Sequence, residues 1–239
     1  MRGLANSVPR TAWLALILVI FAASAEAAPA ISAAESITVR LYDYASINRT
    51  VLAASTQVAS GLLANAGVGS RWEQCRTSEQ GANLSPSCAD RADSSVLQLR
   101  IQTERQAKRL ELKVGQFGYA LPTADGHGVI AGVFLGKVSR VARAQGLDVP
   151  VLLGHIMAHE LGHLLLGSCR HGFEGIMRPS WTNRDLMKTQ AGGLRFTSAE
   201  ASRMQAQVVA RTSVRSVVAN RLESSGEARV LAPVPLAAR

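Results

Sequence analysis

HIMAHELGHLLLGSCRHGFEGIM, residues 155–177, holds four of the five histidines of a 239-residue chain. Its centre, His159-Glu160-Leu161-Gly162-His163, sets two histidines four residues apart, which on an α-helix stacks them one turn apart on one face. Both imidazoles can then address one metal ion. Glu160 is turned about 100° from His159, placed to take a proton from a water on that ion without binding the ion itself. This division of labour predicts a zinc hydrolase, in which the metal lowers the pKa of its water to about 7. The flanking Ile156, Met157, Leu161, Leu164, Leu165 and Leu166 make the helix apolar nearly all round. A glutamate and two histidines buried there with no purpose would be costly. His155, one turn earlier, is out of register with the glutamate and reads as a packing or supporting residue.

A catalytic zinc has three protein ligands and one open position. Gly167 ends the helix and lets the chain return toward the metal from a new direction. Cys169 and His171 are then both within reach, with Glu174 and Glu200 further on. A thiolate would bind zinc tightly, weaken its Lewis acidity and be open to oxidation. His171 is therefore the expected third ligand and Cys169 the alternative.

The longer stretch HELGHLLLGSCRHGFEGIMRP, residues 159–179, resembles the metzincin clan of zinc endopeptidases, and within it active sites of the matrix-metalloprotease type. Those read HExxHxxGxxH and then a methionine turn, xMxP. The resemblance is carried by His159, Glu160, His163, a glycine, a third histidine, Met177 and Pro179. It departs in register: the family's glycine falls on Leu166 and its third histidine on Cys169, where this chain has Gly167 and His171 instead. Glu200 as a ligand would give a site closer to the thermolysin type. VRLYDYA (39–45), RWEQC (71–75) and GIMRPSW (175–181) are also similar to a group of exported bacterial proteins with metzincin-like signatures.

The resemblance implies an α+β (α/β-like) fold: a metzincin-like twisted mixed β-sheet packed on the HExxH helix, then a methionine turn and a C-terminal helix. Met177 would form a soft, apolar floor under the ligands. A substrate chain would add to a sheet edge beside the zinc, and GVIAGVFLG (128–136) is the candidate for that edge.

The rest of the chain fits one such domain. Arg2 and Arg10 precede the apolar run Trp13–Phe21, and Ala25-Glu26-Ala27 follows as a small-x-small site, the layout of a secretory signal peptide. Its strongly apolar part is about 11 residues, against about 20 for a membrane span. Residues 1–27 are thus read as a signal peptide, 28–36 as a linker, 37–220 as the zinc peptidase domain, and the Ala- and Pro-rich 221–239 as a disordered tail. Loss of Arg2, Arg10 and Glu26 changes the formal net charge from +9 to +8. The cations are scattered, with no basic run interleaved with aromatics, so no nucleic-acid partner is expected. Cys75 and Cys88 flank a polar loop, which in an oxidising compartment predicts a disulfide.

With 47% hydrophobic but only 5% aromatic residues, the core must be largely aliphatic. Alternating apolar positions predict strands in SITVRLYDYA, VGSRWEQC, SVLQLRIQT and GYALP, and in GVIAGVFLGKV, which can run on into a helix to Gln145. Helices are predicted from Asn48 to Asn65, from Val151 to Leu166 behind an Asp148 cap, and from Thr197 to about Arg211.

The expected function is an exported zinc-dependent endopeptidase, periplasmic or extracellular, with Zn2+ as cofactor and a peptide or protein as substrate. No stable membrane anchor is expected once the signal is cleaved. The alternative is a metal-binding, non-proteolytic envelope protein or an inactive metzincin relative acting as a binding module. Glu160→Ala discriminates the two: a protease loses activity and keeps metal, whereas a binding module keeps its function.

Overall fold

The computed structural model describes residues 36–75, 88, 94–110 and 116–224, with side chains to residue 213. The signal-peptide reading, residues 28–35 of the linker and the tail from 225 lie outside the described residues.

Five strands, β1 (Ser36–Asp43), β2 (Gly69–Cys75), β3 (Val96–Gln102), β4 (Gly118–Leu121) and β5 (Ile130–Phe134), form one sheet in the order β2-β1-β3-β5-β4. The first four neighbours run parallel, and β4 pairs antiparallel to β5 at one margin. Six helices are described: α1 (Arg49–Asn65), α2 (Glu104–Arg109), α3 (Leu135–Gln145), α4 (Val149–Leu165), α5 (Asn183–Gln190) and α6 (Ser198–Ser224).

The period-2 patterns hold. Ile37, Val39 and Leu41 of β1 and Leu97, Leu99 and Ile101 of β3 share one buried face, and Arg40, Gln98 and Arg100 turn to the other. The buried face packs on the apolar helices, with Leu52, Leu62 and Leu63 of α1 and Leu152, Leu153 and Ile156 of α4 in the same core. A parallel pair needs a crossover, and α1 supplies it between β1 and β2. Helices α1 and α4 approach closely because residue 154 is glycine: a Cβ there would lie 2.6 Å from the Ser55 carbonyl oxygen and from Val58 Cβ.

Several expectations need correction. The GVIAGVFLG segment is not a sheet edge: β5 is paired on both sides, and the margin next to it is β4. The segment also stops being a strand earlier than its composition suggests. From Leu135 the apolar spacing changes to Val138 and Ala142, both buried on α3. Asp148 stands at the N-cap of α4 without a side-chain cap bond; its N–H instead donates to Gln190 Oε1 at 3.1 Å. Helices α2 and α5 were not expected, being short and polar. Each opens with a capping box, Thr103 with Gln106 and Thr182 with Asp185. At the C-terminal end α6 runs past residue 220 to Ser224, and at the other end β1 starts within the expected linker, at Ser36.

Arg211 joins α6 to α4. Its side chain is fully buried, and the guanidinium donates to the carbonyls of Ser94 (2.8 Å), Gly126 (2.8 Å), Gly128 (3.1 Å) and Leu164 (2.8 Å). Leu164 lies in the last turn of α4, and its carbonyl also accepts from the Gly167 N–H at 3.2 Å. Cys75, which closes β2, is joined to Cys88 by a disulfide with the two Cα atoms 5.8 Å apart.

Candidate metal centre

His159 and His163 sit one turn apart on α4 with their rings edge to face, centroids 4.8 Å apart. Backbone carbonyls hold both rings. His159 Nδ1 lies 2.7 Å from the Ile176 oxygen, and His163 Nδ1 lies 2.9 Å from the Ser168 oxygen. A carbonyl oxygen only accepts, so each Nδ1 carries the proton and each Nε2 is left with a bare lone pair. Those two Nε2 atoms are 3.2 Å apart. With neither bearing a hydrogen they cannot bond each other, and their lone pairs repel unless a cation lies between.

His171 completes the group. Gly167 adopts φ +60°, the left-handed conformation that ends helices and favours glycine. The chain beyond it turns back, bringing the His171 ring to 4.7 Å from that of His163 and 5.5 Å from that of His159. One ligand atom from each of the three histidines lies within 4.8 Å of the others.

This donor set fits a zinc ion. Tetrahedral zinc with nitrogen ligands at about 2.0–2.1 Å separates neighbouring nitrogens by roughly 3.3 Å, close to the 3.2 Å between His159 and His163. Imidazole binds metal in its neutral form. Burial, reinforced by the neighbouring His163, lowers the pKa of His159 to about 3. Burial also lowers those of His163 and His171. All three are uncharged at neutral pH.

Glu160 is 5% exposed, and burial raises its carboxyl to about 8. It has room because residue 118 on β4 is glycine: a Cβ there would fall 2.8 Å from Glu160 Oε1. The carboxyl group and the three histidines line one cavity of about 990 Å³, with β4 along its wall.

Met177 is fully buried beneath this group. A Cβ on Gly162 would come 2.7 Å from Met177 Sδ, so the missing side chain lets the thioether sit directly under the helical turn between the two histidines. Met177 is in turn tied to the loop carrying His171, since the Gly172 N–H donates to the Met177 carbonyl at 2.8 Å.

The other candidates stand apart from the three-histidine group. Cys169 is a free, exposed thiol at the cavity wall. Glu174 is exposed. Glu200 is engaged in the cap of α6, where its Oε2 accepts from the Thr197 N–H at 2.8 Å and its N–H donates to Thr197 Oγ1 at 3.3 Å. His155 is buried, with Nδ1 2.8 Å from the Val151 oxygen.

Sequence reasoning missed the supporting groups: the carbonyls of Ser168 and Ile176, the glycines 118 and 162, and Trp181. Trp181 donates from Nε1 to the Ile176 oxygen at 3.1 Å and lies edge-on to His159 at 5.9 Å. Its place just beyond the methionine turn was the one available signal. Arg178, also near the site in sequence, is paired with Asp185 at 2.6 Å.

No protein-family model matches the chain, and no curated protein matches it. Among solved structures the chain is similar to archaemetzincin from Methanopyrus kandleri, at 14% identity and a TM-score of 0.43, over 75% of this chain and 99% of that one. It is also similar to a zinc-dependent peptidase from Methanocorpusculum labreanum, at 14% identity and a TM-score of 0.44, over 70% of this chain and 99% of that one.

Proposed function

We propose that the protein is an exported zinc-dependent endopeptidase in which His159, His163 and His171 hold the metal and Glu160 is the general base. The observation that carries this reading is the convergence of three neutral imidazoles beside a buried carboxyl group, at the wall of a cavity bounded by β4, the marginal strand among the described residues.

When bound, zinc supplies a Lewis acid that polarises the scissile carbonyl and makes water a nucleophile near neutral pH. Glu160 takes the proton from the attacking water on a carboxylate oxygen and returns it to the departing amine nitrogen. Ile176 and Ser168 hold the two helical histidines in the tautomer that leaves Nε2 free, and Met177 supports the turn that carries them.

Strand β4 is the surface that aligns the substrate. The Phe134 N–H donates to the Phe117 carbonyl at 2.8 Å, and bonded pairs alternate along an antiparallel ladder. Tyr119 and Leu121 therefore bond β5, while the N–H and C=O groups of Gly118 and Ala120 point away from it, to the side where no described strand pairs. An extended peptide adds there by backbone hydrogen bonds, beside Glu160.

Export through residues 1–27 is supported by the Cys75–Cys88 disulfide, which suits an oxidising compartment. The test is zinc stoichiometry by elemental mass spectrometry on the purified protein and two variants. One zinc per chain, lost in His171→Ala and kept in Cys169→Ala, supports the three-histidine centre. Peptide cleavage that then disappears in Glu160→Gln, with zinc retained, supports the base. Loss of zinc in Cys169→Ala but not in His171→Ala would overturn the ligand set.

A further inference from the structure

On the sheet face turned away from α4, one row of residues runs from the interior to the β4 margin. Arg100 of β3 is in register with Gly132 of β5, and Gly132 with Tyr119 of β4. Gly132 forms a notch in that row: a Cβ there would lie 2.7 Å from Tyr119 Cζ and 2.8 Å from Gln102 Oε1. The Tyr119 ring lies across the notch, and Arg100 and Gln102 bear on its hydroxyl.

Among the described residues Arg100 has no counter-charge. Its Nε is buried with no hydrogen-bond partner, and its Nη2 reaches Gln98 Oε1 only at 3.5 Å. No carboxylate among the described residues pairs with it. A half-buried guanidinium facing neutral oxygens retains its capacity for a planar, two-pronged bond to a carboxylate. Arg100 lines the same cavity as Glu160 and the three histidines. The second arginine of that wall, Arg178, is already neutralised by Asp185.

We propose that Arg100 is a specificity-determining residue that selects chains carrying a carboxylate on the sheet face opposite α4. This rests on the peptidase reading above. A peptide added along β4 alternates its side chains between the two faces. Those on the face of Gly118 and Ala120 point toward α4 and the histidines; those on the face of Tyr119 and Leu121 point toward the Arg100 side. Arg100 lies two strands in from the edge, so the long side chain of glutamate reaches it better than that of aspartate. A free C-terminal carboxylate at the same place offers the same chemistry.

The test uses binding, so that it does not depend on turnover. Fluorescein-labelled decapeptide pools are prepared with glutamate scanned through each position, with glutamine in its place, and with free or amidated C-termini. Their affinity for the full zinc-loaded chain carrying Glu160→Gln is read by fluorescence anisotropy. Glutamate at one position is expected to bind about tenfold tighter than glutamine, the size of one charge-assisted hydrogen bond. A preference that follows the free terminus instead identifies the terminal carboxylate as the group recognised. Either preference should vanish with Arg100→Gln. Arg100→Glu should gain a preference for lysine-scanned pools, a gain that misfolding cannot produce. Equal binding of acidic and amide pools, or an acid preference that persists in Arg100→Gln, would overturn the proposal. A chain with Glu160 intact that binds the pools and cleaves none would overturn the peptidase reading instead, while the binding ratios still judge Arg100.

Discussion

His159 Nδ1 donates to the Ile176 carbonyl oxygen at 2.7 Å, so the residue before Met177 fixes the tautomer of a histidine seventeen positions upstream. The same oxygen accepts from Trp181 Nε1 at 3.1 Å. The indole therefore holds the carbonyl that holds the imidazole. Trp181→Phe keeps an aromatic ring in place and removes the N–H together with one ring of the indole. Zinc affinity is expected to fall at least about tenfold, the usual cost of losing an outer partner of a ligand. Competition with a chromophoric chelator measures it, and unchanged affinity would show that Ile176 needs no second donor.

Gly162 and Gly61 make a matched pair. A methyl group on Gly162 would meet Met177 Sδ at 2.7 Å and Phe196 Cε1 at 2.8 Å, whereas one on Gly61 meets nothing within 4 Å. Both lie inside helices. Gly162→Ala should destabilise by about 1–3 kcal/mol through overpacking. Gly61→Ala should stabilise by roughly 0.4–1 kcal/mol by restricting the unfolded chain. Urea denaturation of the two variants reads both signs. A neutral Gly162→Ala would mean that Met177 does not press on the helix turn.

How much of this was legible in the sequence depended on range. The HExxH pair is local: four residues on one helix face need no knowledge of the rest of the chain. His171 was reachable because Gly167 signalled the end of the helix. The carbonyls of Ile176 and Ser168 left no mark in the sequence, since any residue has one. Gly118 and Gly162 were equally silent, because each is required by a side chain distant in sequence, Glu160 and Met177. The edge role of β4 could not be read from GYALP either. Strand order is set by pairing across the whole sheet, and the longer apolar run of β5 drew the inference toward what proved to be an interior strand.

Arg211 should be among the residues least tolerant of change. It is fully buried and satisfies carbonyls from three separate segments, Ser94, Gly126 with Gly128, and Leu164. Arg211→Met keeps most of the volume and removes every donor. Gly126 keeps the Gln207 amide and Leu164 keeps the Gly167 N–H, so the Ser94 and Gly128 carbonyls lose their donor. At about 1–3 kcal/mol for each buried acceptor, a loss of at least about 2 kcal/mol is expected from chemical denaturation. A loss below about 1 kcal/mol would mean that water replaces the guanidinium.

The metal-free protein should lose stability in opposite pH directions for two separate reasons. Burial raises Glu160 from an ordinary 4.5 to about 8, so between those values the folded chain holds a proton that the unfolded chain has released. Its contribution therefore weakens as pH rises through this interval. The histidines act the other way: His159 falls from 6.5 to about 3, and His155, His163 and His171 are also lowered. Below 6.5 the unfolded chain binds protons that the folded one refuses, and stability weakens as pH falls. The effects overlap between 4.5 and 6.5, but from 6.5 to 8 the glutamate acts without the histidines. The thermal midpoint of the chelator-treated protein should thus decline from pH 6.5 to 8, by on the order of 1–2 kcal/mol in stability. Glu160→Gln should flatten that decline. Saturating zinc should flatten it too, because a divalent charge beside the carboxylate offsets the burial that raised its pKa. A decline of equal size in Glu160→Gln would assign the effect to another group and remove the buried carboxyl as its cause.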